Sequence, residues 1–168
     1  MLSREELREN PDLFSEMASA PALQQADRQL LTGIEAQIKA GKFEMLFRSE
    51  GSAVGFADNI NIAKQVGRLP DEGNLAEYCK QAELELAAAF GRPIKVYACA
   101  LATVSPIYGT YLEYEGLVAG TRGMAYQLRK SQSVQLIVTA TASDQTAGEV
   151  KDDLETLVRS LEFLPRDQ

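Results

Sequence analysis

Apolar residues in the first quarter of the chain recur at the spacing of an α-helix. They follow one another at intervals of three and four residues and are Leu23, Ala26, Leu30, Ile34 and Ile38. This spacing gives one apolar helix face, and Gly41 is suited to end the helix as a C-terminal cap. Nearer the start, Ser3 and Glu6 have the spacing of a capping box, which predicts a short helix over residues 4–9. Residues 1–41 are therefore predicted to form N-terminal helices.

The period of the apolar positions changes to two from residue 43 onward, which is typical of strands. The pattern predicts one strand over residues 43–49 and a second, longer one that starts at Val54. The apolar face of the second strand comprises Val54, Phe56, Ile60, Ile62 and Val66. Asp58 interrupts this face, so Asp58 and Asn59 are predicted to mark a bulge or bend.

A further helix is predicted over residues 74–90. Asn74 and Glu77 repeat the capping spacing, and Gly91 and Pro93 follow the last helical turn. The apolar stripe of this helix comprises Leu75, Tyr78, Cys79, Ala82, Leu86 and Phe90. The stripe indicates that one side of the helix packs against the rest of the protein.

The remaining chain is predicted to form four strands and a closing helix. The strand-like segments are 94–105, 110–118, 124–129 and 133–142, and residues 120–123 (GTRG) are interpreted as a hairpin turn. The connections are too short for crossover helices, so neighbouring strands should pair antiparallel. The closing helix is predicted over residues 145–163, and its inward-facing residues are Val150, Leu154, Leu157, Val158 and Leu161.

The predicted architecture is one α+β domain over residues 1–168, in the order α-β-β-α-β-β-β-β-α. Within this domain, residues 43–163 are assigned to the structural core that contains the sheet, and they follow the N-terminal helices. Apolar residues occur on both faces of the last strand, with Val134, Leu136 and Val138 on one face and Ile137 on the other. Both faces of the antiparallel sheet are therefore expected to be covered by helices, as in an α/β/α sandwich.

Composition argues against a nucleic-acid partner and a transmembrane segment. The chain of 168 residues has a net charge of −7 and a pI near 4.7, whereas nucleic-acid binders usually carry a basic stripe. Acidic side chains cluster near both ends, which is typical of solvated helix faces; a docking surface for a basic partner is the alternative. No apolar run approaches the roughly 20 residues that span a bilayer. A cytoplasmic protein is expected from the sequence as written, and an extracytoplasmic one if a leader precedes it.

Two cysteines, Cys79 and Cys99, are too few for a disulfide scaffold. Each has apolar neighbours, which is typical of a free, buried cysteine. Two free cysteines are therefore expected, and a disulfide between them is the lesser alternative. Since the chain has no C-x-x-C pair, metal or redox chemistry is not expected at either.

Histidine is absent from the chain. Its absence excludes Ser-His-Asp and Cys-His catalysis, histidine acid–base chemistry and most zinc sites. The sequence also contains no phosphate-binding loop of the G-x-x-x-x-G-K-[ST] type and no G-x-G-x-x-G after a strand. The protein is therefore expected not to be an enzyme and to need no cofactor.

Two oxygen-rich groups are candidate cation ligands. Glu113 and Glu115 share one face of a predicted strand, about 7 Å apart. Asp58 and Asn59 lie together in the earlier strand. Acidic pairs on a polar strand face are mostly surface decoration, and the earlier pair also fits a bulge. The alternative is a small-molecule or divalent-cation site that uses all four, because oxygen ligands suit hard cations. A carboxylate-based hydrolase is a more remote alternative.

Three tyrosines in one short stretch, Tyr108, Tyr111 and Tyr114, form the other candidate site. Ordinary packing within the sheet accounts for such residues. Tyrosine is also enriched at protein interfaces, so a partner-binding surface that includes Arg122 is the alternative interpretation.

Two segments carry a resemblance to a known family. Residues 55–62 (GFADNINI) are similar to the F-x-D-N-hydrophobic-N-hydrophobic strand of the PsbP-like, or Mog-like, family. Residues 158–163 (VRSLEF) are similar to the closing hydrophobic-x-S-hydrophobic-x-F of the same family. The resemblance covers residues 45–163 and points to the bacterial members related to DcrB-type and PsbP-domain proteins.

The resemblance implies a helix-flanked antiparallel sheet and a non-catalytic role, and it carries no site residues with it. Family members commonly open with a strand before the first helix, whereas this chain is expected to begin at that helix and to leave a sheet edge exposed. The chain has no lipobox cysteine. The expected function is that of a non-catalytic protein-binding or assembly domain of the chaperone type, with another protein as its partner.

Overall fold

The computed structural model of the protein describes residues 2–3, 43–48, 58–69, 72–103 and 107–163. The strands in these ranges are β1 (Leu2–Ser3), β2 (Phe43–Arg48), β3 (Asn59–Val66), β4 (Val96–Leu101), β5 (Gly109–Glu115), β6 (Thr121–Arg129) and β7 (Val134–Ser143). The helices are a short 3₁₀ helix (Glu72–Asn74), α1 (Leu75–Phe90) and α2 (Ala147–Ser160).

These strands form one antiparallel sheet in the order β1-β2-β3-β7-β6-β5-β4. Strands β4 to β7 follow one another as a meander, because the connections between them are short. Strand β7 lies between β6 and β3, so the last strand of the chain closes onto a strand that precedes α1. The predicted α+β class and antiparallel pairing are confirmed. The complete predicted order stays a prediction, because the N-terminal helices fall outside the described residues.

The main core lies between α2 and one face of the sheet. Alternate side chains of β6 and β7 point to this face, where Met124, Leu128 and Val138 are completely buried. Leu154 and Val158 of α2 are completely buried against them. Their spacing of four residues places both on one stripe of the helix, as the apolar pattern predicted.

Helix α1 contacts the side chains of β4 and β5 that alternate with those facing α2. The Thr110 hydroxyl donates a hydrogen bond to the Tyr78 hydroxyl at 3.2 Å, and the ring centroids of Phe90 and Tyr114 are 6.2 Å apart. Gly91 follows the helix with φ of 66°, as predicted for its C-terminal cap. Helices over both faces of the whole sheet stay a prediction, since the predicted N-terminal helices are not among the described residues.

Cys79 of α1 and Cys99 of β4 form a disulfide, with their Cα atoms 5.9 Å apart. The expectation of two free cysteines is therefore wrong. Cys79 belongs to the sheet-facing stripe of α1, and Cys99 pairs with Leu112 on the strand face that α1 contacts. The docking of the helix on the strand brings together two residues that no local sequence pattern connects.

The hairpin between β5 and β6 turns at residues 116–120, and not at residues 120–123 as predicted. Gly120 has φ of 78°, and the Thr121 N–H donates to the Val118 carbonyl at 3.2 Å. Strand β6 therefore begins at Thr121.

Gly123 belongs to strand β6 for a packing reason. It pairs with Tyr114 of β5, and the ring of Tyr114 occupies the space that a Cβ atom at position 123 would need. A glycine in a strand often marks such a close approach. Gly123 suggested a turn in the sequence, but the need for a glycine at this position comes from the ring of its cross-strand neighbour Tyr114.

Two other details of the strands differ from the prediction. Leu2 pairs with Leu46, and Ser3 with Met45, so the expectation that the chain begins at a helix is wrong. Strand β3 pairs with β7 without a register shift, so the bulge predicted at Asp58 and Asn59 is absent from this pairing. The segments predicted over 4–41 and 54–57 lie outside the described residues.

Candidate functional site

A group of polar side chains lies where β5, β6 and α2 meet. Its members, here called the Glu113 cluster, are Tyr111, Glu113, Arg122, Asp144 and Lys151. Tyr111 and Glu113 are two residues apart on β5, so their side chains project to the same face. Arg122 of β6 pairs with Glu115 of β5, and Glu115 is two residues after Glu113 on that strand. Arg122 therefore lies diagonally across from Glu113 on the same face of the sheet. Lys151 comes from the first half of α2.

Glu113 accepts hydrogen bonds on both carboxylate oxygens. The Arg122 Nη1 group donates to Oε1 at 2.8 Å, and the Tyr111 hydroxyl donates to Oε2 at 2.8 Å. Lys151 Nζ lies 3.6 Å from Oε2. Burial raises the pKa of Glu113, but the hydrogen bonds and the nearby positive charges more than offset this, so its pKa is below the ordinary value. Glu113 is therefore held as a carboxylate.

Tyr111 is a buried part of the cluster and is not an exposed contact residue. The residue is only 7% exposed, and its ring packs against that of Tyr126 in a tilted arrangement with the centroids 4.7 Å apart. Burial, followed by the hydrogen bond donated to Glu113, raises the pKa of Tyr111 well above its ordinary value. Burial also raises the pKa of Tyr126, to about 12, with a further contribution from the charge of Glu155. Both phenols are thus neutral near pH 7.

Arg122 connects the buried part of the cluster to the surface. Besides Glu113, its Nε group donates to Asp144 Oδ1 at 3.0 Å. Its guanidinium carbon also lies 4.5 Å from the centroid of the Tyr97 ring. These contacts hold the planar guanidinium in one orientation. The formal charges of the four charged members of the cluster sum to zero.

Tyr97 is the exposed aromatic residue above this cluster, with 40% of its surface accessible. It lies at a register shift of β4, where the pairing with β5 passes from Val96 to Ala98. Lys95 Nζ lies 4.9 Å from the centroid of the same ring. Lys95, Tyr97 and Arg122 are called the Tyr97 surface below.

Sequence reasoning missed Tyr97 because it selected tyrosines by their clustering along the chain. Tyr97 is a lone tyrosine in the uncharged segment 96–101. Only its position at the register shift of β4 and beside Arg122 sets it apart, and neither is visible in the sequence. The basic residue two positions before it, Lys95, was the one available local signal.

The structure distributes the four predicted partner-binding residues over separate places. Tyr111 and Arg122 come together through Glu113. Tyr114 projects to the other face of β5, where it packs against Phe90. Tyr108 precedes β5 and lies under the guanidinium of Arg129, 4.4 Å from its ring centroid. The four side chains therefore do not form one surface.

The four candidate cation ligands are also separated. Asn59 pairs with Thr141, and Thr141 with Gly123, so β3 and β5 are three strand spacings apart. That distance is about 14 Å, too far for one coordination sphere.

The individual oxygens of these candidates already have partners. The Asp58 carboxylate accepts a hydrogen bond from the Ser143 N–H at 3.0 Å, and Glu115 pairs with Arg92 at 3.1 Å. In the part of the chain that the structure describes, no group of three or more acidic, cysteine or histidine side chains is arranged to hold a metal ion. Within the same ranges, neither α1 nor α2 combines the length and apolar character of a helix that crosses a membrane.

Neither a protein-family model nor a curated protein matches the sequence. Solved structures do match. A protein of unknown function from Pseudomonas aeruginosa is 15% identical, over 72% of this chain and 83% of its own, with a TM-score of 0.53. The solution structure of PsbP from the cyanobacterium Synechocystis is 11% identical, over 78% of this chain and 85% of its own, with a TM-score of 0.48.

These likenesses concern the fold alone. The first match has a TM-score above 0.5 and shows a shared architecture. The TM-score of the second match is below 0.5 and supports no conclusion. A PsbP structure is thus among the solved structures that resemble this chain.

Proposed function

We propose that the protein is a non-catalytic protein-binding or assembly domain, and that the Tyr97 surface is part of its contact surface. The observation that carries this proposal is the exposure of Tyr97 together with its contacts to two cationic side chains. Tyrosine and arginine are enriched among the residues that contribute most to protein–protein binding. Tyr97 combines an apolar ring with a polar tip, which suits a surface that is wet when free and dry when bound.

The contacts beneath the Tyr97 surface support this proposal. Arg122 is oriented by Glu113 and Asp144, so it loses little conformational freedom when a partner binds. Lys95 is exposed, its ammonium group lies over the Tyr97 ring, and it forms no ion pair with a carboxylate among the described residues. Complementarity then favours a partner that places a carboxylate next to an apolar or aromatic group.

The predicted tyrosine surface is retained in modified form. Tyr111 supports the Tyr97 surface from below, through Glu113 and Arg122, and does not itself reach the partner. The proposed architecture is the complete α/β/α sandwich, with the N-terminal helices completing the cover of the sheet. The proposed contact region is the end of the described sheet near Tyr97.

The disulfide supports a proposal about the compartment. Disulfides persist in oxidising compartments and are rare in the cytosol, where thiol systems keep cysteines reduced. Since Cys79 and Cys99 are paired, we favour the extracytoplasmic alternative over the cytoplasmic one. Alkylation of intact cells with a maleimide reagent of known mass checks this: unmodified Cys79 and Cys99 support it, and two modified cysteines contradict it.

The binding proposal is tested by site-specific photocrosslinking in native cells. A photoreactive phenylalanine analogue is placed at position 97 and, as a matched control, at position 84, because Leu84 is also an exposed apolar residue but lies on α1. We expect one protein to crosslink at position 97 and not at 84, and Lys95→Ala to reduce that product. The same products at both positions, or none at 97, would contradict the proposal.

A further inference from the structure

Helix α1 is attached to the sheet much less extensively than α2. The buried residues of α2 are Ala147, Val150, Leu154 and Val158, and all of them belong to the hydrophobic core. Among the described residues, α1 contributes one buried residue, Ala82, and none to that core cluster. The hydrophobic contribution to docking is therefore small for α1 and large for α2.

Within the described ranges, few specific contacts join α1 to the strands. Near its start these are the disulfide from Cys79 to Cys99 and the hydrogen bond between Tyr78 and Thr110. At its end the ring of Phe90 packs against Tyr114, and just after the helix Arg92 forms an ion pair with Glu115 at 3.1 Å. The covalent bond is the strongest of these attachments, and it lies in the first half of the helix.

The strand that receives this bond is at the end of the described sheet. Strand β4 pairs with β5 and is the last strand in the order. Its shifted register at Val96 and Ala98 interrupts that pairing. Cys79 and Cys99 are both partly exposed residues, which favours access of a small thiol reagent to the bond.

We propose that the Cys79–Cys99 disulfide is the anchor that keeps α1 docked, so that reduction by a dithiol releases α1 while the core under α2 stays folded. In the reaction, a thiolate of the reductant attacks one sulfur, and the bond between Cys79 and Cys99 breaks as a mixed disulfide forms. The second thiol of the reductant then displaces the protein sulfur. The reductant ends as a disulfide, and the protein gains two electrons and two protons as two thiols.

Release of α1 uncovers a defined part of the sheet. The side chains of β5 that lose their cover include Leu112 and Tyr114. The arrangement of α1 is thereby coupled to the redox state of the compartment, because the reduced chain retains only the weaker contacts. Release of α1 is independent of the binding function proposed above and can be measured without a partner.

Hydrogen exchange followed by mass spectrometry tests the anchor on the full chain. Exchange is compared for the oxidised protein, the protein reduced with dithiothreitol, and the Cys79→Ser, Cys99→Ser double variant. We expect amides of residues 75–90 to exchange about tenfold faster or more than in the oxidised protein, both in the reduced protein and in the double variant. Amides of β6, β7 and α2 should keep their protection.

The control is Ala88→Ser, which places a serine at an exposed position of α1 and leaves the disulfide intact. It should leave the exchange of residues 75–90 close to that of the oxidised protein. Unchanged protection of α1 after reduction would overturn the proposal. So would an equal loss of protection in α2, because the disulfide would then support the whole fold and not α1 in particular.

Discussion

At the scale of single residues, Glu113 shows how burial and charge oppose each other. Burial disfavours the carboxylate, while hydrogen bonds from Arg122 and Tyr111 and the charge of Lys151 favour it. The second influence is the stronger, so the pKa of Glu113 is lowered. Removing the carboxylate charge would leave Arg122 and Lys151 without their common partner.

We expect Glu113→Gln to lower the free energy of unfolding at pH 7 by about 1–3 kcal/mol. Because the folded protein binds this proton less readily than the unfolded chain, the contribution of Glu113 is complete above its ordinary pKa of 4.5 and is lost as the pH falls through the lower folded-state pKa. Urea unfolding of both proteins at a series of pH values measures this. The difference between wild type and variant should shrink below pH 4.5.

The matched control is Glu115→Gln, since Glu115 and its partner Arg92 are both about one-third exposed. An exposed ion pair contributes about 0–1 kcal/mol. Equal losses in the two variants, or a difference that does not depend on pH, would show that Glu113 is not held as a carboxylate by its neighbours.

Gly123 illustrates a residue whose identity is set by a neighbouring strand. A Cβ atom at this position would meet the ring of Tyr114, which is itself packed against Phe90. We expect Gly123→Ala to lower the free energy of unfolding by about 1–3 kcal/mol, because the ring has to shift in a packed environment.

The comparison variant is Gly148→Ala, since nothing lies within 4 Å of a Cβ at that helical position. Alanine is favoured over glycine in a helix, so this variant should be neutral or more stable by up to about 1 kcal/mol. Thermal unfolding of both variants checks the pair. Similar midpoints would show that Tyr114 does not constrain position 123.

At the scale of elements, the two helices differ in what holds them. Helix α2 presents a continuous buried stripe to the sheet, whereas α1 is attached through a disulfide, a hydrogen bond and an aromatic contact. Both helices have the apolar spacing that predicts amphipathic packing. Their attachment differs because β6 and β7 present large apolar side chains to α2, while α1 contacts the strands at the end of the sheet.

Truncation of a core residue in α2 should therefore be strongly destabilising. We expect Leu154→Ala to lower the free energy of unfolding by about 2–5 kcal/mol, because the side chain is completely buried and leaves a cavity. Leu84→Ala on α1 is the control, as Leu84 is 58% exposed and should change stability by less than about 0.5 kcal/mol. Guanidinium unfolding distinguishes them, and equal effects would contradict the assignment of the core to α2.

At the scale of the whole molecule, the strand order places β4 at one end of the described sheet. The segment 96–101 (VYACAL) has no charged residue, and such edge strands can pair with other chains. Lys95 directly precedes this segment, and the register shift beside it interrupts the regular edge. Charge and irregular pairing are both devices that limit association at sheet edges.

We expect Lys95→Val to increase self-association with protein concentration, because it removes the charge beside this edge. Lys80→Val is the control, since Lys80 is exposed on α1 and away from the strand. Light scattering of the two variants over a concentration series measures the effect. Equal association in both would indicate that general loss of charge, and not the edge, is responsible.

How much of this could be predicted from the sequence depends on the range of the interactions. The apolar stripes of α1 and α2 and the short connections between strands are local, so the positions of these two helices, the α+β class and antiparallel pairing followed from the sequence. Gly91 was identified as a helix cap because the residues before it define the helix that it ends.

Tertiary structure alone decided the features that depend on residues distant along the chain. The Cys79–Cys99 bond forms because a helix docks on a strand, and Gly123 is required because a tyrosine ring of another strand lies over it. The same applies to the candidate site. The clustering of tyrosines along the chain identified Tyr111, which the fold buries, whereas the isolated Tyr97 is exposed beside Arg122 at a register shift of β4. Sequence patterns specify which segments form elements, and side-chain packing between those elements determines which residues reach the surface together.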